Sequence, residues 1–439
     1  MKGTAALLVL LCAGIRPAPA QVDPAVAAVI QATKAIDNHA HPLRYVADGQ
    51  PADDEYDALP CDTLEQAPGP VRSRLENPEW IGAWRALYGY PQNDASPAHV
   101  KELVAAKRRA MKEHGPGYPA WVLDKMGIET MFANRVAMGP GLALPRFRWV
   151  PYVDALMLPL NNEPAKRLNS DFQWFYAHEE KLLKRYLSDQ HLDALPGSLR
   201  EYLANVITPT LERQKQDGAV ALKFEAAYLR PLNFSSVLEA EADRVYGQFI
   251  RGGEAPAAEY KKLQDFLFHY VALEAGRLGL AIHIHSDPGC GDYFLQRGAN
   301  PMLLENTFND PSLRKTNFVI IHGGWPYIKE TAALLLKPNV YADFSSTAIT
   351  LYPRALADVL RDWLESAPEK ILFGTDASPG PPELNWEEGG WLAASTARKA
   401  LGAALTGMIH DGEISRERAV EMARMVLREN AIKLYGLKP

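Results

Sequence analysis

Short runs of apolar, often β-branched residues alternate with longer amphipathic stretches along most of the chain. A short apolar run bounded by turn residues is typical of a buried strand, and apolar positions three and four residues apart are typical of a helix. Strands that alternate with helices form parallel βα units, so the pattern predicts an α/β fold, a (β/α)8 TIM barrel, with an open doubly wound sheet as the alternative. The predicted strands are Ala35–His41, Ile128–Ala133, Trp149–Ala155, Ala219–Glu225, Leu280–His285, Phe318–His322, Val340–Phe344 and Lys370–Asp376.

The connections between these strands are uneven in length. The first long connection, residues 45–127, is rich in proline and contains a helical pattern at Ala98–Glu113. Long βα connections commonly cover or line a site. We therefore predict one barrel domain over residues 21–439, with 45–127 as an insertion or cap beside its mouth. The tail, Ser415–Leu437, has the apolar spacing of a packing helix.

The N-terminus has the pattern of an export signal. Lys2 precedes a short apolar run that ends at Ala13, and Ala18-Pro19-Ala20 follows. This arrangement is typical of a secretory signal peptide. We expect cleavage after Ala20 and a periplasmic or secreted protein; a short hydrophobic anchor is the alternative. Cys61 and Cys290 could then pair in an oxidising compartment, although the sequence does not show whether they are close.

The amino-acid composition and net charge narrow the classes of molecule that the protein is expected to bind. The 439 residues are 47% hydrophobic and 23% charged, as in a folded soluble protein. The net charge of −6 argues against nucleic acid, which is bound by basic surfaces. No later segment has 18 unbroken apolar residues, so we expect no membrane contact after signal removal. The expected partner is a small-molecule substrate, and a homo-oligomer is left open.

Histidines fall at the ends of several predicted strands. His39 and His41 lie two residues apart, so their side chains share one face of the first strand. His283 and His285 repeat this spacing in the fifth strand. In a barrel the carboxyl ends of the strands meet at one mouth, and imidazole and carboxylate are good zinc ligands. With His322 and Asp376 at two further strand ends, the pattern predicts a divalent metal site there. The other histidines are interpreted as ordinary residues: His99, His114, His178, His191, His269 and His410.

Lys223 lies inside an apolar strand, where a lysine is costly to bury unless it is paired. It either forms a salt bridge with Glu225 or is carboxylated by carbon dioxide, which would give an anion able to bridge two metals. On the substrate side, Arg230 offers a guanidinium fork for a carboxylate. Tyr228 could hydrogen-bond the substrate, and Trp325 could wall the pocket. For each of these three residues, a purely structural role is the alternative.

The order of these histidines, Lys223 and Asp376 along the chain resembles that in the metal-dependent amidohydrolase superfamily, and more closely that in its amidohydrolase-2 branch. The resemblance extends to the amidohydrolase domain of fungal and plant proteins that fuse it to a glutamine-synthetase-like domain. It implies a TIM barrel that holds one or two divalent ions, most often zinc. The segments that carry it are Lys223–Arg230, His283–Asp292, His322–Tyr327, Phe373–Asp376 and Glu429–Gly436.

The resemblance also implies roles. His39 and His41 would be ligands, a carboxylated Lys223 would bridge, and Asp376 would be a ligand, a general base or both. His285 and His322 would bind a second metal, whereas in single-metal branches the sixth-strand histidine acts on the substrate. His285 is preferred to His283 because it is nearer the end of its strand.

The predicted function is that of an exported metal-dependent hydrolase. Metal-activated water would cleave an amide (C–N) bond, or a cyclic amide or ester, of a small molecule. Small peptides or acyl-amino acids are the expected substrates because Arg230 could bind a carboxylate. Two alternatives remain at this stage: a metal-dependent decarboxylase of a small carboxylic acid, and a non-catalytic barrel that binds metal or sugar.

Overall fold

The computed structural model describes residues 21–61, 64 and 69–438. The predicted signal peptide, residues 1–20, lies outside the described residues. Within the described part, no helix is both long enough and apolar enough to cross a bilayer.

Each predicted strand is present in the structure, and the strands pair in chain order. Parallel pairing joins β1, β2 and β3 in one sheet and β4 through β8 in a second sheet. The strands are β1 Ala35–Ala40, β2 Ile128–Asn134, β3 Phe147–Val150, β4 Ala221–Phe224, β5 Ala281–His285, β6 Phe318–Ile321, β7 Val340–Asp343 and β8 Ile371–Leu372.

Backbone hydrogen bonds close both seams between the two sheets. Beside β3, the Lys223 amide donates to the Pro151 carbonyl at 2.8 Å. On the other side, the Asn38 amide donates to Phe373 O at 2.9 Å and the Asp376 amide donates to His39 O at 2.8 Å. The TIM-barrel prediction is confirmed. Because β8 is adjacent to β1 in the closed ring, Asp376 lies beside His39.

The last strand is shorter than predicted because side chains replace its ladder. Asp37 of β1 accepts hydrogen bonds from the Thr375 amide at 3.0 Å and from Thr375 Oγ1 at 2.5 Å. The backbone therefore leaves the regular strand after Leu372 yet stays attached to β1. This irregular segment carries Asp376 to the barrel mouth.

Helices surround the barrel. Short π-helical turns at Leu203–Ile207 and Met425–Glu429 make two of the helical regions continuous. The α-helices are α1 Pro24–Ala32, α2 Glu79–Tyr88, α3 Pro97–His114, α4 Tyr118–Met126, α5 Glu163–Lys166, α6 Ser170–Asp189, α7 Leu199–Tyr202, α8 Thr208–Gln216, α9 Glu239–Phe249, α10 Ala257–Leu278, α11 Glu305–Asn309, α12 Ile328–Leu334, α13 Ser345–Thr350, α14 Pro353–Ser366, α15 Trp386–His410, α16 Arg416–Arg424 and α17 Asn430–Tyr435.

The C-terminal helix closes the end of the barrel opposite the mouth. Tyr435 packs against the apolar residues that fill the lower barrel, with its ring 4.7 Å from that of Phe132. Its hydroxyl lies 2.7 Å from His283 Nε2. The predicted packing helix is therefore also a plug, and it holds His283 in the layer below the mouth.

The long connection after β1 is fixed to the barrel by buried cations. Arg72 is 1% exposed and donates to the Ala348 carbonyl at 3.1 Å. Lys107 lies 2.9 Å from carboxylate oxygens of both Glu387 and Glu388 on α15. Removing either cation would leave buried acceptors without a donor. The connection thus packs as part of the barrel, and residues 56, 57 and 61 reach the mouth.

Candidate metal centre

Three side chains from the seam between β8 and β1 converge on one point. His39 Nε2 and His41 Nε2 are 3.3 Å apart. Asp376 Oδ1 is 3.2 Å from His39 Nε2 and 3.5 Å from His41 Nε2. Zinc–ligand bonds of about 2.0–2.2 Å place the atoms of a tetrahedral ligand set about 3.4 Å apart. The three atoms therefore fit the corners of a site for a divalent ion.

His41 is oriented by groups behind it. Its Nδ1 lies 3.0 Å from Asp57 Oδ2 and 3.0 Å from the Tyr152 hydroxyl. Burial would raise the pKa of Asp57, but the neighbouring His41 outweighs this effect and the pKa is lowered. A carboxylate behind a histidine fixes the ring and leaves its other nitrogen free for a metal. Asp57 carries no local signal in the sequence, because residues 45–127 contain no recognisable motif.

Lys223 of β4 reaches the same cluster from another strand of the barrel. Its side chain is fully buried, and Nζ lies 3.3 Å from His39 Nε2. Glu225 Oε1 is 3.8 Å away, a loose ion pair. Both interpretations of Lys223 thus remain compatible with its position: the ammonium faces Glu225, and a carboxylated form would place oxygens beside the triad.

A second histidine pair adjoins the triad. His285 Nδ1 and His322 Nε2 are 3.1 Å apart, and the His322 ring lies 4.9 Å from the His39 ring. On its far side, His322 Nδ1 is 2.7 Å from Ser345 Oγ, which donates to Asp343 Oδ1 at 2.8 Å. Ser345 and Asp343 fix this ring as Asp57 fixes His41. Neither residue stands out in the sequence, because their roles depend on how the end of β7 lies against His322.

Burial sets the protonation of the cluster. It lowers the pKa of His39, His285 and His322 well below the ordinary value, so these rings are neutral and have a free lone pair. Burial also raises the pKa of Asp376 to about 6. A carboxylate with a pKa near neutrality is a more effective proton acceptor than an exposed one.

Two of the clustered residues adopt a backbone conformation that side chains disfavour. His322 has φ of +66° and Asp376 has φ of +57°. Left-handed backbone costs a residue with a side chain about 1–2 kcal/mol. Among the described residues, His191 is the third non-glycine residue with positive φ, and it lies in the turn after α6. Retained strain of this kind concentrates at functional sites.

A cavity of about 200 Å³ opens above the cluster. Its floor includes His41, Lys223, His285, His322 and Asp376. Its walls come from two segments that the sequence places far apart: residues 56, 57 and 61 of the long connection, and residues 287–290 after β5. The volume is sufficient for a small molecule and excludes a folded protein chain.

Of the three residues predicted to contact the substrate, one lines the cavity and two do not. Tyr228 lines the cavity, with its ring 4.6 Å from that of His285. Arg230 does not line it, because the turn at Ala226–Tyr228 directs Arg230 away. Its guanidinium lies 2.6 Å from Asp265 Oδ1. Trp325 is also outside the cavity lining. Arg230 therefore has a structural ion pair in place of the expected contact with a substrate carboxylate.

A disulfide joins the two walls. Cys61 of the long connection is bonded to Cys290 after β5, and both residues line the cavity. The bond closes a loop across 229 residues. Chain-entropy arguments give a larger stabilisation for longer loops, with about 2–5 kcal/mol lost when a native disulfide is removed.

Replacing both cysteines by serine should therefore lower the free energy of unfolding by about 2–5 kcal/mol. Because the bond joins the two cavity walls, we also expect weaker retention of small ligands. Denaturant unfolding of the oxidised wild type, the reduced wild type and the double variant measures the effect. Equal midpoints for all three proteins would show that the disulfide adds nothing to stability.

Comparison with known proteins identifies relatives of the chain. The family model described as "Amidohydrolase" matches residues 163–437, more than half of the chain. Protein fluG of Emericella nidulans is 26% identical over 232 residues, which cover 50% of this chain and 26% of that protein. The matched part of the chain therefore covers about a quarter of that relative's length.

Solved structures support the fold. A protein from Lactobacillus casei described as a "putative metal-dependent hydrolase" is 18% identical with a TM-score of 0.57, covering 95% of this chain and 98% of its own. Glucuronate isomerase from Caulobacter crescentus is 13% identical with a TM-score of 0.54, covering 94% of each chain. At these identities the similarity establishes the barrel architecture, and chemistry has to be argued from the site.

Proposed function

The chain belongs to the amidohydrolase family, and on that basis we propose that it is a metal-dependent hydrolase that cleaves a C–N bond of a small amide, linear or cyclic, or a cyclic ester. The observation that carries the proposal is the convergence of His39 Nε2, His41 Nε2 and Asp376 Oδ1 within 3.2–3.5 Å below a small cavity. We propose zinc as the metal, because two imidazoles and a carboxylate match its preferred ligands.

In the proposed reaction, the bound ion and the side chains of the protein would have separate roles. A bound divalent ion supplies Lewis acidity, which makes water more acidic and polarises a carbonyl group. Asp376 accepts the proton of the attacking water, since its carboxylate lies within the cluster, 3.2 Å from His39 Nε2. The water oxygen forms a bond to the carbonyl carbon, and the bond from that carbon to nitrogen breaks. Asp376 then passes the proton to the departing nitrogen, so amide and water become acid and amine.

The remaining residues orient the reacting groups. Asp57 holds His41 from behind, and Ser345 with Asp343 holds His322. His322 Nδ1 lies 3.9 Å from Asp376 Oδ2, so the imidazole and the proposed base face the same space. Rigid support of this kind keeps the reacting groups in position and reduces the entropic part of the barrier.

Decarboxylation has less support. Apart from the proposed metal ion, the one cation among the described residues that line the cavity is the buried Lys223, so a substrate carboxylate would have no arginine to orient it. A non-catalytic barrel does not account for the left-handed backbone at both His322 and Asp376. Hydrolysis accounts for both observations.

Export is part of the proposal. The disulfide between Cys61 and Cys290 fits an oxidising compartment, as the N-terminal signal pattern does. We expect the mature protein to begin at Gln21, which N-terminal sequencing of the periplasmic or secreted fraction would test. A chain that retains Met1 in the cytoplasm would contradict export and leave the chemistry unaffected.

A product-based assay tests the chemistry. The zinc-loaded protein is offered dipeptides, N-acyl amino acids, cyclic amides and lactones in ¹⁸O-water. We expect hydrolysis with one ¹⁸O atom in the new carboxylate. Release of carbon dioxide would favour the decarboxylase instead, and an isomerised product without solvent oxygen would favour an isomerase. Bound metal with no turnover on any of these classes would overturn the proposal.

A further inference from the structure

The loop after β5, residues 286–295, supplies one wall of the cavity and rests on two aromatic rings. A Cβ at Gly289 would lie 2.2 Å from Tyr228 Cε1 and 2.7 Å from Phe294 Cε2. The loop backbone is therefore in direct contact with both rings, whose centres are 5.4 Å apart. Close packing of this kind leaves the inner part of the β5 loop no space to move toward Tyr228.

The far end of the β5 loop is attached to the start of α6 by exposed contacts. The Tyr293 amide donates to Asp171 Oδ2 at 3.0 Å, and Asn169 Nδ2 donates to the Tyr293 carbonyl at 3.3 Å. Both hydrogen bonds are exposed to solvent, and Tyr293 itself is 68% exposed. An exposed hydrogen bond competes with water and adds little net restraint. By themselves, these contacts would leave the loop free to move outward, away from the cavity.

The opposite wall is anchored independently of the β5 loop. Asp57 lies 3.0 Å from His41 Nδ1 and accepts a hydrogen bond from the Leu59 amide at 3.0 Å. Leu59 is 1% exposed and packs in the main hydrophobic core. This segment keeps its place through burial, which does not depend on the disulfide. The bond from Cys61 to Cys290 therefore fastens the weakly held loop to a rigid wall.

The space between the two walls is small. The cavity is about 200 Å³, and a cavity of about 150 Å³ holds one benzene molecule. One aromatic ring with a few further atoms thus fills the space, and two fused rings exceed it. Cys61 and Cys290 both line the cavity, and their bond holds the two Cα atoms 5.8 Å apart. The walls cannot separate at this point while the bond is intact.

We propose that the disulfide between Cys61 and Cys290 sets the largest substrate that the cavity accepts. With the bond intact, the part of the substrate beside the metal centre is no larger than one aromatic ring. With the bond broken, the β5 loop moves outward and groups of two fused rings enter. The inference rests on the proposed hydrolysis at the same site and specifies its substrate class as compact amides and cyclic esters.

Hydroxamates of increasing size test the limit without turnover. A hydroxamate binds zinc through its oxygens, so its substituent is held next to the ion and inside the cavity. The probes are acetohydroxamate, benzohydroxamate and 1-naphthohydroxamate, measured by calorimetry on the zinc-loaded, oxidised wild type. We expect 1-naphthohydroxamate to bind about tenfold or more weakly than benzohydroxamate, because overpacking a closed space is costly. Equal or tighter binding of the naphthyl compound would overturn the proposal, as would absence of benzohydroxamate binding at millimolar concentration.

The double variant Cys61→Ser/Cys290→Ser should reverse this order. Once the β5 loop can move outward, the second ring removes more apolar surface from water, so 1-naphthohydroxamate should bind at least as tightly as benzohydroxamate. The ratio of the two affinities is the readout, because a general loss of stability or of zinc lowers both affinities together. An unchanged ratio would overturn the proposal.

Asp171→Ala is the matched control for the double variant. It removes the hydrogen bond at the other end of the β5 loop and leaves the disulfide intact. We expect the wild-type ratio of affinities, since the bond still holds the wall. If this variant loses the size preference, the hydrogen bond and not the disulfide sets the limit, and the proposal is wrong.

Reduction of the wild type gives a second, reversible route to the open form. A phosphine and water convert the disulfide to two thiols and a phosphine oxide, so phosphorus supplies the electron pair that sulfur takes up. Cys61 and Cys290 are both half-buried, which leaves the bond within reach of the reagent. The reduced wild type should match the double variant, and the double variant should not respond to the phosphine. An equal response there would place the effect outside the disulfide and contradict the proposal.

The two proposals fail differently. If the oxidised wild type hydrolyses compact and bulky amides alike, the size limit is wrong and the hydrolase proposal stands. If the size preference depends on the disulfide and no amide is hydrolysed, the hydrolase proposal fails while the size limit stands.

Discussion

Replacing Asp376 with asparagine should lower kcat by about 10³-fold, within the range expected when a general acid–base group is lost. Asparagine keeps the shape and one oxygen of the side chain but cannot accept a proton at neutral pH. We therefore expect much of the zinc to remain, because His39 and His41 still lie 3.3 Å apart. The measurement is kcat on the best amide found, together with zinc content per chain.

Asp358→Asn is the matched control for this prediction. It removes one carboxylate from the exposed surface of α14, outside the cavity, and should leave kcat within about twofold because isolated surface changes have small effects. Full activity in the Asp376 variant would remove the proposed base from the mechanism. Complete loss of zinc would instead make Asp376 primarily a metal ligand.

Replacing His39 with alanine should weaken zinc binding by at least about 100-fold, beyond the losses that follow from removing an outer supporting group. His39 Nε2 is the shared neighbour in the cluster: it lies 3.3 Å from His41 Nε2, 3.2 Å from Asp376 Oδ1 and 3.3 Å from Lys223 Nζ. Without His39 Nε2, the atoms of His41, Asp376 and Lys223 no longer share a neighbouring ligand atom. Competition with a calibrated zinc chelator measures the affinity.

His99→Ala provides the comparison for His39. His99 is on α3, is partly exposed and pairs with Asp94, away from the cavity. Its removal should not change the zinc affinity. If the His39 variant binds zinc as tightly as the wild type, the cluster is not the metal site, and the proposed chemistry has no basis in this cavity.

Most of the barrel could be predicted from the pattern of apolar residues. A strand buried on both faces reads as a short apolar run, as β6 does, and β6 is buried along its whole length. The strand ends were less predictable. Trp149–Ala155 was predicted as the third strand, but the strand ends at Val150, and β8 is reduced to Ile371–Leu372. At β8, hydrogen bonds that Thr375 donates to the Asp37 carboxylate stand in for the ladder, and no local sequence pattern shows them.

The candidate site, like the fold, could be predicted only in part from the sequence. The alternation of strand side chains places His39 and His41 on one face, and the closed ring brings Asp376 to them. For the fifth strand, the two histidines were equivalent by periodicity. The structure separates them by depth, since His283 meets Tyr435 in the plugged lower barrel while His285 reaches His322 at the mouth.

The sequence by itself determined the barrel class, the strands that carry histidines and the family, because these depend on short-range periodicity and on the order of residues along the chain. Only the tertiary structure decided which charges meet. Asp57 reached His41 across a long connection, Arg230 turned to Asp265, and Asp287 came to line the cavity. Electrostatic partners are set by distance and burial, and neither quantity is contained in the spacing of residues along the chain.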